Sequence, residues 1–425
     1  MAFLQPFLDL LPYRCEQTLS NRALRKLRVQ FQRSTTRPQG MGIQQPSTAA
    51  DHSRRQLFID VAVISKHDAG TGIQRVVRAL ALALIKTAGS AWEIRFVAAT
   101  RRHCYHEIAW PDQKQAENFE PIQGKPGDIF LGLDYSLDTV RRHRKQLASF
   151  RRNGGALWFL VHDLLPLEKP EWFSRNTVIR YKAWLGILAG IADGFLCNSQ
   201  QTELDLRKNL TKVFGLSSGY DCAVLPMGHN IAEALLPARE HEALPTRFDL
   251  NQPFFLMVGT LEPRKGHFDI VAAFNQLWRN GAQEKLVLVG RMGWEVAELK
   301  EAIVNNPERD HRLFWFDDVA DAELYNLYEL CSGGIIASYG EGFGLPLIEM
   351  LGHNKPVLAR DLAIFRSHES AGVRYFPMKA DTQQLCDHIQ NWMKDVQDGA
   401  ITVKKPQYSW QDSAQTLMNA IDPHS

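Results

Sequence analysis

Residues 338–350 read Ser-Tyr-Gly-Glu-Gly-Phe-Gly-Leu-Pro-Leu-Ile-Glu-Met, and this stretch decides the fold. The apolar run 333–337 before it predicts a buried strand, and apolar residues recur after it at helical spacing. Pro346 suits the first turn of a helix, where its missing N–H is not needed. The pattern therefore predicts a strand, a glycine-rich loop and a helix.

The loop also has a chemical character. Gly340, Gly342 and Gly344 allow tight turns and close approach of the backbone to a ligand, and free N–H groups at the helix start favour a phosphate. Glu341 and Glu349 lie at either end of this possible phosphate site. Because carboxylates repel a phosphate, we expect these two side chains to bind hydroxyl groups instead. A nucleotide-sugar carries hydroxyls on both sides of a diphosphate. An isolated glycine pattern is equally typical of an ordinary strand–loop–helix crossover.

Length and composition limit the class of protein. A chain of 425 residues is long enough for two domains. Its 45% hydrophobic and 23% charged content is ordinary for a globular protein, and a net charge of +2 gives no reason to expect nucleic acid as a partner. The 6 cysteines lack metal-ligand spacing and predict reduced thiols. With no predicted membrane span or cleavable signal peptide, we expect a cytoplasmic protein.

The hydrophobic pattern predicts two successive α/β units, because apolar strands alternate with helices and such strands form parallel sheets covered on both faces. The predicted strands are 57–64, 94–99, 128–134, 156–161, 194–199 and 223–226, then 254–259, 286–290, 313–316, 333–337, 357–359 and 373–376. The pattern breaks between Ile231 and Gln252. We therefore predict a basic amphipathic extension and linker at 1–55, domains at 56–245 and 246–405, and a helix at 406–425 with the option of crossing back to the first domain.

The N-terminal extension differs from the rest. An apolar cluster within residues 3–13 is followed by basic residues from Arg14 to Arg33. A basic amphipathic segment of this kind suits peripheral contact with an anionic membrane, here the inner face of the cytoplasmic membrane. The alternatives are a frayed extension or a helix docked on the body of the protein.

A second motif joins the glycine loop in the later domain. Arg264 and Lys265 are adjacent in a loop that follows a predicted strand. Arginine suits bidentate phosphate contacts and lysine acts as a point charge. Alone, such a pair is typical of a solvated turn; beside the Glu341–Glu349 loop it indicates a diphosphate site. Since ligands of doubly wound sheets bind beyond the carboxyl ends of the strands, two facing domains would hold this ligand in a cleft.

Together these motifs resemble the retaining glycosyltransferases of the GT-B fold, family 4 or group 1. The matching segments are 258–266, 288–291 and 341–346 with Glu349, which is separated from Glu341 by seven residues. The N-terminal half matches more loosely, at 70–76, 162–166, 198–199 and 227–230. The last of these, Met-Gly-His-Asn, departs from the Asn-Gly usual in the family. The resemblance implies two doubly wound Rossmann-like domains that face each other across a cleft.

The resemblance also implies the site. Arg264 and Lys265 would stabilise the leaving diphosphate, Glu341 would contact the transferred sugar, Glu349 would hold the ribose, and His162 would lie near sugar and acceptor. The other positions implied for binding the nucleotide-sugar are Gly72, Gly259, Arg291, Asp318, Val319, Gly342, Phe343, Gly344 and Leu345. The implied reaction needs no metal and no cofactor, since the nucleotide-sugar is a substrate.

At family level the chain looks like bacterial enzymes that build O-antigen, capsule or exopolysaccharide, many of which transfer mannose from GDP-mannose. Their acceptors are saccharides or lipid-linked saccharides. A UDP- or dTDP-sugar is the alternative substrate, and a non-catalytic assembly protein that binds nucleotide-sugars or glycans is an alternative of another class. A nucleotide-sugar epimerase on the same fold is disfavoured, because it lacks this spacing of Glu341 and Glu349.

Overall fold

The structure is a computed structural model that describes residues 22–36, 54–111, 119–230, 248–249 and 252–422, with side chains from residue 25 onward. The apolar cluster predicted within residues 3–13 lies outside the described residues. So does most of each linker predicted from the composition, before residue 55 and between Ile231 and Gln252.

The first α/β unit is a seven-stranded sheet. Its strands are β1 (Arg55–Asp60), β2 (Trp92–Ala98), β3 (His106–Glu107), β4 (Ile129–Gly132), β5 (Ala156–Val161), β6 (Gly194–Cys197) and β7 (Asp221–Val224). They lie in the order β3-β2-β1-β4-β5-β6-β7, and all neighbours are parallel except β2 and β3. The short β3 was not predicted, because two residues leave no hydrophobic period.

Helices cover this sheet. They are α1 (Arg22–Thr36), α2 (Gly72–Thr87), α3 (Leu137–Arg152), α4 (Leu165–Glu168), α5 (Arg175–Ile191) and α6 (Gln200–Asn209). Helix α2 begins with a capping box, in which Thr71 and Gln74 satisfy each other's backbone N–H groups. Strands β4 and β6 are buried along their whole length, as expected for a parallel sheet with helices on both faces.

The second unit is a six-stranded parallel sheet. It contains β8 (Phe254–Val258), β9 (Lys285–Val289), β10 (Leu313–Phe316), β11 (Gly333–Ile336), β12 (Val357–Arg360) and β13 (Val373–Phe376), in the order β10-β9-β8-β11-β12-β13. Its helices are α7 (His267–Arg279), α8 (Ala297–Val304), α9 (Asp321–Leu330), α10 (Leu345–Gly352) and α11 (Thr382–Gln397). The predicted fold class of two doubly wound Rossmann-like domains is confirmed. The strand order reverses between β1 and β4 and between β8 and β11, which is where such sheets bind ligands.

The strand, loop and helix predicted around residues 338–350 are present as β11, a loop and α10. Gly344 caps α10 with φ of 89°, and a Cβ there would lie 2.3 Å from the ring of Phe365, so only glycine fits. Pro346 lies in the first turn of the helix, as predicted. The loop therefore follows β11 directly, at the reversal point of the second sheet.

Both ends of the described chain pack on the first domain. The last helix, α12 (Trp410–Ile421), packs on α2, and Ser413 Oγ donates to the carbonyl of Pro226 at 2.6 Å. Helix α1 packs on α5, with Arg33 donating to the carbonyls of Ala189 and Ala192 at 3.0 Å. The described part of the N-terminal extension is thus a helix docked on the body, one of the alternatives for this segment. None of the described helices is both long and apolar enough to cross a membrane.

A buried carboxyl group ends β1 in the first sheet. Asp60 is fully buried and accepts hydrogen bonds from Ser136 Oγ at 2.7 Å, Ala62 N at 2.9 Å and Tyr105 OH at 3.0 Å. Burial, together with the nearby Asp134, raises the pKa of Asp60 from 3.8 to about 7. The folded state therefore binds a proton here at pH values where the unfolded chain does not.

This raised pKa predicts a pH-dependent stability. The proton bound by folded Asp60 stabilises the protein fully below pH 4, and the effect is lost as pH rises through about 7. Between pH 5 and 8 we expect the wild type to lose about 3 kcal/mol more free energy of unfolding than Asp60→Asn. Urea unfolding of both proteins at the two pH values measures this difference. Equal losses in wild type and variant would show that Asp60 does not titrate in this range.

Candidate active site

The predicted diphosphate-binding cations lie in the loop that follows β8, next to the loop that follows β11. Pro263, Arg264 and Lys265 form a single 3₁₀ turn, which ends at Gly266. Gly266 has φ of 71°, and a Cβ there would lie 2.3 Å from the carbonyl oxygen of Ala337. Because β8 and β11 are neighbours, this close contact brings the cationic turn against the glycine loop.

Lys265 and Glu341 form the centre of the site. Lys265 Nζ donates to Glu341 Oε1 at 2.5 Å, and Ser338 Oγ donates to the same oxygen at 2.6 Å. Both charged side chains are largely buried, with exposed fractions of 13% and 10%. In a buried ion pair each charge compensates the other. Removing the side chain of either Lys265 or Glu341 would therefore leave a buried charge without its main partner.

Arg264 reinforces this pair. Its NH1 group lies 3.6 Å from Glu341 Oε2 and donates to the carbonyl of Gly340 at 3.2 Å, while its Nε donates to Glu262 at 3.0 Å. In return, the backbone N–H of Tyr339 donates to the carbonyl of Arg264 at 2.7 Å. Arg264 therefore connects the two loops through both its side chain and its backbone.

The charges of the pair follow from burial and proximity. Burial works against the charge of Glu341, but Lys265 and Arg264 outweigh it and hold the pKa of Glu341 below its usual value. Burial lowers the pKa of Lys265, and Glu341 restores it only in part. Glu341 is therefore an ionised carboxylate between two cations.

The glycine loop touches the first domain. Ser199 Oγ, just before α6, donates to the carbonyl of Gly342 at 2.6 Å, and Thr202 Oγ1 donates to it at 3.2 Å. A Cβ on Gly342 would lie 2.1 Å from the carbonyl oxygen of His162, at the end of β5. The absence of a side chain at Gly342 lets the strand ends of the two domains meet.

Gly342→Ala tests this contact. The added Cβ meets backbone, which cannot turn aside as a flexible side chain would, so we expect the loop to separate from the first domain. The expected loss of turnover is about 10-fold or more, because a small misplacement of reacting groups is costly. Small-angle scattering should show a larger radius of gyration. Ser199→Ala removes only one hydrogen bond to the loop and should act in the same direction with a smaller effect. A Gly342→Ala protein with unchanged radius and turnover would contradict this account.

Glu349 has partners that the sequence did not predict. It is 2% exposed, and its Oε2 accepts hydrogen bonds from Tyr328 OH at 2.7 Å and from an NH2 group of Arg75 at 3.1 Å. Tyr328 belongs to α9 of the same domain, whereas Arg75 belongs to α2 of the other. The role of Glu349 toward a ribose stays a prediction. The structure shows that one oxygen of the carboxylate, Oε2, is already held by protein groups.

The remaining predicted positions of the second domain lie at the ends of β8 to β11. Arg291 NH2 donates to Asp318 at 2.7 Å, at an exposed site. Gly290 has φ of 147°, and a Cβ on it would lie 2.1 Å from the carbonyl oxygen of Gly259, so the two strand ends pack closely. Val319, Phe343 and Leu345 are wholly or partly buried against the core. The structure thus groups these residues at one edge of the sheet, and their contacts with a nucleotide-sugar stay predictions.

Two predicted positions belong to the first domain. Burial lowers the pKa of His162 to about 4, so its ring is neutral, and Nε2–H donates to the carbonyl of Leu133 at 3.2 Å. Its Nδ1 is thereby an acceptor. Gly72 starts α2, one turn before Arg75, and a Cβ there would meet nothing within 4 Å. The structure therefore leaves room beside Gly72, and the roles of both residues toward substrate stay predictions.

Sequence reasoning missed several residues at this site. Asp163, next to His162, is half-buried. Burial raises its pKa while the nearby Arg264 opposes the rise. Ser338, Arg75 and Tyr328 hold the two glutamates. The position of Asp163 at a predicted strand end was a usable indication. Arg75 and Tyr328 contact Glu349 from 274 and 21 residues away in sequence, and no local pattern reveals such contacts.

Two further features bear on the kind of site. Among the described residues no group of three or more His, Cys, Asp or Glu side chains is placed to hold a metal ion. A cavity of about 650 Å³ is lined by residues that precede the strands of the second sheet, including Ser332, Pro356 and Glu284. This cavity therefore lies at the opposite end of the strands from the loops that follow β8 and β11.

Solved structures identify the fold. Anabaena Alr3699/HepE in complex with UDP-glucose matches with a TM-score of 0.54 at 16% identity, over 86% of this chain and 94% of that one. The sucrose-phosphate synthase tll1590 of Thermosynechococcus elongatus matches with a TM-score of 0.55 at 18% identity, over 87% and 94%. At such identities the likeness shows the fold alone, which is GT-B.

Sequence comparison relates the second domain to a known family. The family model for glycosyl transferases group 1 matches residues 239–405, which include both the loop that follows β8 and the loop that follows β11. This part of the chain is therefore similar to the glycosyl transferases group 1. The chain is 31% identical to the serotype-specific mannosyltransferase WbdA of Escherichia coli over 391 residues, which are 86% of this chain and 45% of that relative. The chain thus spans about half the length of that relative.

Proposed function

We propose that this chain is a retaining glycosyltransferase that moves a sugar from a nucleotide-sugar to a saccharide or lipid-linked saccharide acceptor. The observation that carries the proposal is the buried cluster of Lys265, Arg264 and Glu341, where two cations and one carboxylate meet at the reversal point of the second sheet. The cations suit a diphosphate, and the glycine loop and the start of α10 offer backbone N–H groups beside it.

The proposed chemistry follows from where charge develops. The bond between the sugar's anomeric carbon and the diphosphate oxygen breaks, leaving an oxocarbenium-like sugar and a diphosphate with one more negative charge. Lys265 and Arg264 stabilise that added charge more strongly than the ground state, and this difference accelerates the reaction. The acceptor hydroxyl attacks from the same face, and its proton passes to the departing phosphate. The reaction then needs neither a metal nor a dedicated base.

The proposed sugar is mannose, carried by GDP-mannose. The support is the printed name of WbdA, a mannosyltransferase, together with its 31% identity to this chain. Because WbdA is described as serotype-specific, the proposed pathway is the synthesis of a bacterial surface polysaccharide. A UDP-sugar is the alternative, since Alr3699/HepE, which has the same fold, was solved with UDP-glucose. A non-catalytic protein that binds nucleotide-sugars or glycans is the alternative of another class, and turnover separates it from a transferase.

A panel of nucleotide-sugars tests the proposal. The purified chain is incubated with GDP-, UDP- and dTDP-sugars, and release of the nucleoside diphosphate is followed with and without a mannose oligosaccharide. We expect GDP release from GDP-mannose, and the anomeric configuration of the product, read by NMR, should match that of the substrate. Binding without release would support the assembly-protein alternative, and appearance of an epimer would support an epimerase.

We also propose a peripheral contact with the inner face of the membrane. In the docked helix α1, Leu27 is 56% exposed, and the adjacent Lys26 and Arg28 are partly exposed. An apolar side chain with cations next to it in the helix suits an anionic lipid surface. Sedimentation with vesicles of anionic or zwitterionic lipid tests this: binding to the anionic vesicles alone is expected, and no binding to either would contradict it.

A further inference from the structure

The carboxylate of Glu349 is held from both domains by the same oxygen. Its Oε2 accepts from Arg75 of α2 at 3.1 Å and from Tyr328 of α9 at 2.7 Å. All three side chains are buried, with exposed fractions of 6% or less for Arg75 and Glu349. Among the described residues, none donates a hydrogen bond to the second oxygen, Oε1. A carboxylate oxygen accepts readily from a hydroxyl, so Glu349 is fixed on one side and able to accept on the other.

Arg75 depends on Glu349 in turn. Its Nε is buried and has no hydrogen-bond partner among the described residues, and Glu349 is the carboxylate that it contacts. Burying a guanidinium is unfavourable unless a carboxylate compensates it. The first domain therefore presents a cation that is satisfied only when the second domain is in place. This arrangement differs from an exposed ion pair, which solvent would satisfy equally well.

We propose that Arg75 and Tyr328 are positioning residues for the ribose of the nucleotide. They hold Glu349 by Oε2 and so aim Oε1 at the ribose hydroxyls. The inference rests on the proposed function, in which Glu349 contacts the ribose. Because Arg75 and Glu349 belong to different domains, the ribose site is complete only while the domains are in contact, and nucleotide affinity is tied to that contact.

Binding of plain nucleotides tests the inference without any turnover. GDP and UDP, each beside its 2′,3′-dideoxy counterpart, are titrated into the full chain by calorimetry. We expect the wild type to bind the better nucleotide about 10-fold more tightly than its dideoxy form, since the latter offers no ribose hydroxyl to Oε1 of Glu349. In Arg75→Gln this ratio should fall toward 1, through weaker binding of the ribonucleotide with little change for the dideoxy form. Arg75→Lys and Tyr328→Phe should be intermediate.

Arg78 provides a matched control. It lies one turn further along α2, is equally buried, and forms an ion pair across the same boundary with Asp321 at 2.5 Å as well as with Asp68 at 2.6 Å. Arg78→Gln therefore also removes a buried contact between the domains, but one that does not reach Glu349. We expect it to keep the wild-type ratio between the two nucleotide forms, whatever it does to thermal stability.

The possible outcomes are distinguishable. If Glu349→Gln loses the discrimination and Arg75→Gln keeps it, the positioning role is wrong and the proposed function stands. If Glu349→Gln also keeps it, the ribose contact is wrong and the positioning role falls with it. Loss of discrimination in Arg78→Gln as well would show a general effect of domain contact and would overturn the specific role of Arg75. Should Arg75→Gln fail to fold, Arg75→Lys carries the same comparison.

Discussion

Lys265→Ala is expected to lower the turnover number by about 10³-fold, the loss typical when a group that stabilises developing charge is removed from a dry site. The lysine lies against Glu341 in a buried pocket, where an electrostatic interaction is stronger than in water. In the proposed reaction its charge faces a diphosphate that becomes more negative as the sugar departs. Single-turnover release of the nucleoside diphosphate measures the effect on the bond-breaking step.

Two comparisons show whether the loss comes from this charge. Lys300→Ala, an exposed lysine on α8 of the same domain, should keep wild-type turnover. Lys265→Arg keeps a cation, but the planar guanidinium replaces the compact ammonium beside the diphosphate. We therefore expect this variant to keep only part of the wild-type rate. A folded Lys265→Ala protein that transfers sugar at a rate near that of the wild type would remove the basis for the proposed function.

Local patterns account for most of the fold. The strand at 333–337, the loop and the helix begun by Pro346 could be predicted because each depends on neighbours in the chain. The alternation of strands and helices predicts the parallel sheets, whereas the reversal of strand order at β8 and β11 is an observation of the structure. The antiparallel β3 could not be predicted, because its pairing with β2 is a tertiary contact of only two residues.

The site shows the same division. Arg264, Lys265, Glu341 and Glu349 stand out because their residue types and spacing are unusual at strand ends. Arg75, the partner of Glu349 in the first domain, does not stand out in the sequence. It lies 274 residues away from Glu349 and looks like any polar residue of an amphipathic helix. That contact exists only because two separately folded domains meet. A single sequence can therefore indicate which groups contact the substrate more readily than which groups hold them in place.

Glu341→Gln is the second change with a large expected effect, about 10²-fold or more in turnover. The amide keeps the size of the side chain and one oxygen that can accept from a sugar hydroxyl, but it removes the negative charge that compensates Lys265 and Arg264. Burial already lowers the pKa of Lys265. Without Glu341 the pKa should fall further, so that less of the enzyme carries the cation at neutral pH. The loss of turnover should therefore be smaller at pH 6 than at pH 8.

A double-mutant cycle separates the two possible roles of Glu341. If the carboxylate only maintains the charge of Lys265, Glu341→Gln should have little further effect in the Lys265→Ala background. If it also contacts the transferred sugar, as proposed, the double variant should lose more, and Glu341→Ala should lose more than Glu341→Gln because the alanine has no acceptor oxygen. Glu341→Ala should also lose discrimination against one of a set of deoxy-sugar nucleotides, and that analogue would identify the hydroxyl that Glu341 contacts. Equal effects of the two substitutions, with no change in discrimination, would restrict Glu341 to an electrostatic role beside the diphosphate.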